Sequence, residues 1–437
     1  MMADHALRAQ LHNEVHARPP EPLATRMAIT HVVMLANEDQ RQQSRAQLAQ
    51  LLQNHHVAPP AESAAHVRAD LGAFRLRWEM HTEFVSWTFM RPMAPEEITP
   101  NPAANALMAV PQAWLQALPG EAMVRLHLWV MPSPADATRA ALNSLMREDT
   151  LVSCRVVNGQ AELHTDFQVH PDGHARMLIL HEPITERRLG RLVQQVCEIE
   201  TYRLMALLAL PVARESVPLL AHAEAELAEL ANAIQTAERH EEARLLERLT
   251  RLVSELEGQY AAQHSRFSAS RAYFQLVDQR VIDIHESSIG GAQTLGEFLL
   301  RRLSPARSTC ESVSQRQIAL SERVSRMSNL LRTRVDIEQE RSSQDLLAAM
   351  NRRGHLQLKL QSTVEGLSVA AISYYIVGLL KYMALGLESK GWLHDAEWVA
   401  AWLVPAVAVI VWWFMRRLHH RVLRQGDDPP TLTVSRP

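Results

Sequence analysis

Cysteine is scarce: Cys154, Cys197 and Cys310 are the only three in 437 residues. They lie too far apart for a zinc-ligand or disulfide spacing, which excludes a zinc module and a disulfide scaffold and predicts free thiols in a reducing compartment. Positive charge is also limited, since 45 basic residues face 48 acidic ones and the formal charge is −3. That balance speaks against nucleic acid as a partner. The sequence has no P-loop, no dinucleotide glycine fingerprint, no G-x-S-x-G and no H-E-x-x-H. No catalytic motif remains, so the chain is read as a non-enzyme. The opening segment, MMADHALRAQLHNEVHARPP, holds no apolar run of the signal-peptide kind.

What is present is apolarity concentrated at one end. Leu367 to Leu387 reads LSVAAISYYIVGLLKYMALGL with one charge, Lys381, and Trp398 to Met415 reads WVAAWLVPAVAVIVWWFM with none. At the rise of an α-helix these runs are ~32 and ~27 Å long, about the thickness of a bilayer's hydrocarbon core. Five of the nine tryptophans (392, 398, 402, 412 and 413) cluster here, as an interfacial belt would have them. A transmembrane hairpin over 367–415 is expected, closed by a short loop at 388–397. Arg352, Arg353 and Lys359 precede it and Arg416, Arg417, Arg421 and Arg424 follow it, whereas the loop holds only Lys390 against Glu388, Asp395 and Glu397. The positive-inside rule then predicts a multi-pass protein of the bacterial inner membrane with both termini cytoplasmic.

Upstream, the chain reads as helix. Ser304 and Pro305 suit an N-cap and first helical position, and no further proline occurs before Leu387. A stalk helix over 305–366 is expected to run into the first span, ~120 Å in all if unbroken. Leu320, Val324, Met327 and Leu331 step by 4, 3 and 4, an a/d stripe that needs a packing partner, including copies of the same chain. Leu245, Leu249, Leu252 and Leu256 step in the same way. Leu189, Leu192, Val196 and Ile199 open another helix after a Thr185 cap, with Pro211 and Pro218 separating the two and Gly290-Gly291 marking a bend. This gives a helical bundle or coiled-coil region over 184–304 and a basic, then polar, tail over 416–437.

Residues 1–183 have a different character and predict an α+β domain. Met27–Leu35 is apolar on both faces and suits a central strand. Phe74–Met90 reads as a hairpin turning near His81 and Thr82, with Phe74, Leu76, Trp78 and Met80 inward. Val124, Leu126, Leu128 and Val130 alternate likewise, and Val152–Val157 and Ala161–Val169 flank an Asn158-Gly159 turn. Asn37–His55 and Ala135–Leu145 read as helical. Thirteen of the 21 histidines lie in this domain. His12, Glu14 and His16 share one face if extended and then form a candidate site for a divalent cation; in a helix they splay apart and serve as surface or capping groups. No other cofactor is implied. Glu162, His164, Asp166, Gln168 and His170 fall on one strand face, expected to be solvated.

The words LHNEVHARPPEPL (11–23), RWEMHTEF (77–84), GRLVQQVCEIETYRLMALLALP (190–211), RFSASRAYFQLVDQR (266–280), QTLGEFLLRRLSPARSTCESV (293–313) and STVEGLSVAAISYYIVGLL (362–380) resemble a bacterial family of uncharacterised membrane-anchored proteins, domain-of-unknown-function family 3422. The resemblance implies membrane localisation and no particular activity. The architecture (cytosolic α/β domain, long stalk, two-helix hairpin, basic tail) is similar to the CorA-type magnesium channels, which are pentamers lined by their first spans. Their Gly-Met-Asn signature is missing, since the corresponding stretch is Tyr382-Met383-Ala384-Leu385-Gly386. Glu365, Ser368, Ile372, Tyr375, Leu379 and Tyr382 step by 3 and 4 along one face and are the pore-lining candidates. The expectation is a lipid-embedded homo-oligomer of CorA-like build serving as an ion channel or transporter. The alternative is a membrane-tethered scaffold or sensor whose cytosolic domain binds a partner.

Overall fold

The structure, a computed structural model, describes residues 4–8, 11–12, 19–62, 64–94, 96–97, 99–133, 142, 144–238, 241–388 and 396–424. It divides into two units, Met1–Asn329 and Leu330–Pro437. The elements in chain order are β1 (Met27–Leu35), α1 (Glu38–Asn54), β2 (His66–Asp70), β3 (Arg75–Met80), β4 (Phe84–Pro92), α2 (Gln112–Gln116), β5 (Glu121–Pro132), β6 (Val152–Val156), β7 (Ala161–Thr165), β8 (Ala175–His181), α3 (Glu186–Leu207), α4 (Ala209–Thr236), α5 (Glu242–Asp283), β9 (Ser287–Ser288), α6 (Leu295–Glu388) and α7 (Ala396–Arg424).

In the first unit a mixed sheet runs β2-β3-β4-β1-β5-β8-β7-β6-β9, with β5 and β8 parallel and the other pairs antiparallel. The doubly apolar run at 27–35 is central, as its sequence demands. Ile29 and Val33 pack toward α3, α5 and the start of α6, whereas Val32 and Met34 pack toward α1. The α1 helix starts on a capping box in which Asn37 and Gln40 satisfy each other's backbone N–H groups. Thr185 caps α3 by accepting from the Arg188 N–H. The turn after β6 uses Val157, Asn158 and Gly159 at φ 56°, 57° and 85°, a left-handed path that favours Asn and Gly.

Several expectations are corrected. The strand face from Glu162 to His170 is not solvated. Strand β7 ends at Thr165, Phe167 takes φ 52°, and His164 and Asp166 are buried. Leu142, Leu145 and Met146 pack on Leu178 and Leu180 over that side of the sheet. Asp166 instead accepts the N–H groups of Arg147 and Gln168, with His170 Nε2 3.0 Å away. Pro211 and Pro218 do not separate helices: Pro211 lies in the first turn of α4, where a missing N–H costs little, and Pro218 lies inside it. The break falls at Leu208. Helix α6 likewise begins at Leu295 rather than at Pro305, on a reciprocal cap in which Thr294 and Glu297 exchange N–H bonds. The expected helix at 135–145 lies largely outside the described residues.

The Leu320–Val324 part of the a/d stripe is already covered within one chain. Leu220, Ala223, Leu227 and Leu230 of α4 and Leu245, Leu249, Leu252 and Leu256 of α5 are buried together with Leu320 and Val324. Ion pairs Arg316–Glu224 and Arg307–Asp278 and a Ser321–Glu257 bond tie α6 to both helices. A second copy is therefore not needed to bury these two side chains.

In the second unit α6 continues and α7 follows, and most large apolar side chains are exposed. Leu367, Tyr374, Tyr375, Leu379 and Tyr382 on α6, and Trp402, Val409, Ile410, Trp412 and Trp413 on α7, are open. Ile376, Val377 and Leu380 are half-buried, and Ala384, Val407 and Val411 are buried. Among the described residues two helical stretches are long and apolar enough to cross a membrane, Glu186–Thr236 and Leu295–Leu387. A third of the apolar window of the first is buried in the protein, and none of the second. The interior of the first stretch is explained by the sheet that α3 covers.

Val324 is fully buried, so Val324→Asp takes a carboxylate out of water, a change that costs several kcal/mol or more. The full chain in detergent is expected to lose a large part of its helical signal at a much lower temperature than the wild type. An unchanged melting curve would show that the stripe does not stabilise the bundle.

Candidate functional site: a polar cavity beneath α3

Between the β3-β4-β1 end of the sheet and α3 lies a cavity of about 240 Å³. Its floor follows from strand period. In β1, His31 shares the helix-facing side with Ile29 and Val33; in β4, Ser86 and Thr88 lie between Phe84 and Met90. In β3, Arg77 and Glu79 alternate with Leu76 and Trp78, which pack on the opposite side. The roof is Val193, Gln194, Cys197, Glu198, Thr201 and Tyr202 of α3, with Arg280 of α5 at one side. The wall is Glu21 and Leu23. This segment crosses α3 at Gly190, where an added Cβ would lie 1.7 Å from the Glu21 carbonyl oxygen, so only glycine permits the approach. Leu23 N–H donates to the Glu186 carbonyl and fixes the crossing.

The polar groups here are buried and largely paired. Thr201 donates its hydroxyl proton to the Cys197 carbonyl at 2.9 Å and therefore accepts from His31 Nε2–H at 3.0 Å. His31 Nδ1 is then bare and accepts from the Thr88 hydroxyl at 2.8 Å. Burial, opposed only in part by Glu79, pushes His31 down to about 4. It is a neutral, fully bonded post under the helix. Burial alone would raise Glu79, but the guanidinium of Arg77, 2.7 Å away, outweighs it and holds the carboxyl below its usual range. Burial pushes the Glu21 carboxyl up, offset in part by Arg75 at 3.1 Å. Glu198 pairs with Arg280 and accepts from the Gln194 amide. Burial pushes the Cys197 thiol up to about 12, so it is no nucleophile. Among the described residues that line the cavity, Arg77 Nε and Glu21 Oε2 have no hydrogen-bond partner, and both atoms are closed off from the open space.

The residues singled out in the sequence fall elsewhere. His12 is exposed, while Glu14 and His16 lie outside the described residues. The pore-lining candidates are all in the second unit: Ile372, Tyr375, Leu379 and Tyr382 are exposed, Glu365 and Ser368 half-buried. Among the described residues a different group, His127, Asp172 and His174, brings ligand-type atoms within 4.8 Å of one another. Its two imidazoles stack at 3.9 Å with planes 15° apart. A metal must lie near the plane of each ring that binds it, and near-parallel planes do not converge on one ion. Asp172 is moreover paired with Arg176. The group is not arranged as a metal centre. Ser153 Oγ lies 2.8 Å from His164 Nδ1, with Glu162 3.5 Å from Nε2. Ser153 is buried, so this Ser–His–Glu arrangement presents no nucleophile to a substrate.

Sequence alternation missed Arg77 and Glu79 because their period marks them as outward-facing, and on a sheet covered by helices both faces are inside. A usable signal was present: LHNEVHARPPEPL, RWEMHTEF, GRLVQQVCEIETYRL and RFSASRAYFQLVDQR each send at least one charged residue to this cavity. Fold and cavity define an α+β domain with a mixed sheet and a polar cavity, in one chain with long helices apolar enough to cross a membrane. The chain belongs to the family described as "Protein of unknown function (DUF3422)", whose model matches residues 3–422. No curated protein and no solved structure matches it.

His31 generates an acid-stability prediction. Its folded value of about 4 lies below the ordinary 6.5, so as pH falls the unfolded chain takes up the proton first. Its contribution is complete above pH 6.5 and declines toward pH 4, by up to about 3 kcal/mol. Unfolding midpoints compared at several pH values for wild type and His31→Gln should converge as the pH drops. A constant offset would assign the acid loss to other groups.

Proposed function

We propose that the protein is a membrane-tethered sensor whose N-terminal unit binds a small polar molecule in the cavity beneath α3. The observation that carries this reading is the cavity's lining: Arg77, Glu79, Glu198 and Arg280 bring charges of both signs to the same space as the apolar Leu23, Phe84 and Val193, a combination that orients a small polar molecule. The exposed apolar faces of α6 and α7 supply the tether, and the basic residues on both flanks favour an inner-membrane hairpin with cytoplasmic termini. The sensor sits in the cytosol in this arrangement, consistent with three unpaired thiols.

A second reading, an oligomeric channel of CorA-like build, is favoured by one observation. Ile372, Tyr375, Leu379 and Tyr382 are exposed in the single chain, free to meet lipid or line a path between copies. In a background without native cysteines, Cys at Ser368, Ile372 and Tyr375 should react with a charged thiol reagent if the face is hydrated, and Cys at Val369 and Ile376 should not. Uniformly low labelling removes the channel.

The sensor reading is tested by thermal shift of the full-length protein in nanodiscs against a set of small polar metabolites. At least one member should raise the melting temperature of the wild type and leave Arg77→Met/Glu79→Gln unmoved. The double change avoids stranding a buried carboxylate, a defect worth about 3–5 kcal/mol. A flat response from folded wild type across the set would overturn the sensor.

A further inference from the structure

A second cavity, of about 500 Å³, lies in the first unit where the end of α3 and the start of α4 meet α6 and the segment after β7. The helix break at Leu208 gives it Leu207 from one helix and Leu210 from the next, and Leu303, Pro305 and Ala306 of α6 continue the apolar wall. Phe167 and Phe298 stack within the lining, their centroids 4.9 Å apart and their planes 8° apart. Phe167 reaches this position because the chain turns through φ 52° after β7, with its N–H donating to the Thr165 hydroxyl at 3.2 Å. A guanidinium lies over each ring: Arg203 is 4.9 Å from the Phe167 centroid and Arg302 is 5.9 Å from that of Phe298.

The charge of this lining is one-sided. The cavity beneath α3 sets arginines against carboxylates, whereas this one is lined by Arg203, Arg214 and Arg302 and by no aspartate or glutamate. Arg203 is answered from behind by the buried Glu200, at 3.0 and 2.6 Å. Among the described residues Arg214 and Arg302 have no carboxylate partner. The imbalance is local, because acidic residues outnumber basic ones in the whole chain and α6 pairs neighbouring arginines elsewhere, Arg307 with Asp278 and Arg316 with Glu224. We propose that this cavity binds an amphipathic organic anion, a phosphate or carboxylate head matched to the unpaired arginines Arg214 and Arg302 and an apolar body matched to the wall of Leu207, Leu210 and Leu303. A guanidinium forms charge-assisted bonds with such a head, and apolar surface beside it stabilises the rest of the molecule in proportion to the area taken from water. A head with two negative charges balances both arginines and is the better match. The site is separate from the one beneath α3, and the proposal does not rest on the sensor reading.

The experiment is isothermal titration of the full-length protein in nanodiscs, with empty nanodiscs as the blank, against hexyl phosphate, hexanoate, 1-hexanol, hexylamine and inorganic phosphate. Hexyl phosphate should bind at least about tenfold more tightly than hexanol or inorganic phosphate, with hexanoate between them and no binding of hexylamine. From ethyl to butyl to hexyl phosphate the affinity should rise by up to about fourfold for each added CH₂. Arg214→Gln/Arg302→Gln should weaken hexyl phosphate by about tenfold or more. Both side chains belong to exposed residues without carboxylate partners, so the melting curve of this variant should stay close to that of the wild type. Arg77→Met/Glu79→Gln, in the other cavity, should bind hexyl phosphate as the wild type does, which separates failure of this site from failure of the sensor. Hexanol or hexylamine binding as tightly as hexyl phosphate would remove the anion, and inorganic phosphate binding as tightly would remove the apolar body; either overturns the proposal. Undiminished binding in the Arg214/Arg302 variant, or a loss in the Arg77/Glu79 variant instead, would place the ligand elsewhere and overturn it as well.

Discussion

The structure of the first unit depends on one constraint: its central sheet is covered on both sides. A strand in such a sheet has no face to give to water, so any polar residue it carries must be paired inside. β1 meets the demand mostly with apolar side chains and makes two exceptions: Thr30, bonded to His127 of β5, and His31, bonded at both nitrogens by threonines from β4 and α3. β3 meets it with an arginine and a glutamate that pair with each other. The polar chamber under α3 is the region where His31 and this pair collect. Glycine at position 190 closes it, because only there can the Glu21 segment lie directly against the helix.

A long helix joins a surface of another kind. Up to Val324, α6 is packed by α4 and α5 in the manner of a bundle, with ion pairs along the edges. Later in its sequence the same helix bears leucines and tyrosines with little covering them. The change is one of solvent rather than of secondary structure. The buried stripe needs partners of similar shape, whereas the later apolar surface needs an apolar medium or further chains.

Much of the fold was legible in the sequence where a pattern had one physical meaning. The doubly apolar run at 27–35 had to be a central strand, Asn158-Gly159 had to turn, and Thr185 had to cap. Positions where a local signal was overridden by tertiary context were misread. Pro218 and Pro305 looked like boundaries and lie inside helices, because packing outweighs a lost hydrogen bond. His164 and Asp166 looked solvated from their period, but period alone cannot reveal what lies over a sheet. The chamber was hidden for the same reason: its charged residues are scattered over four segments, and only the register of β1, β3 and β4 beneath α3 brings them together.

The buried thiols have a consequence for how the molecule breathes. Cys154 and Cys197 are buried and both are pushed up to about 12, so neither is a thiolate near neutrality while the fold is closed. Alkylation of either one must pass through a local or global opening, and its rate therefore reports the free energy of that opening. Cys154 lies in β6, beside the short edge strand β9, and Cys197 in the roof of the chamber. The two residues act as internal gauges at opposite ends of the sheet, recording whether the helix over the chamber lifts alone or only when the whole domain unfolds.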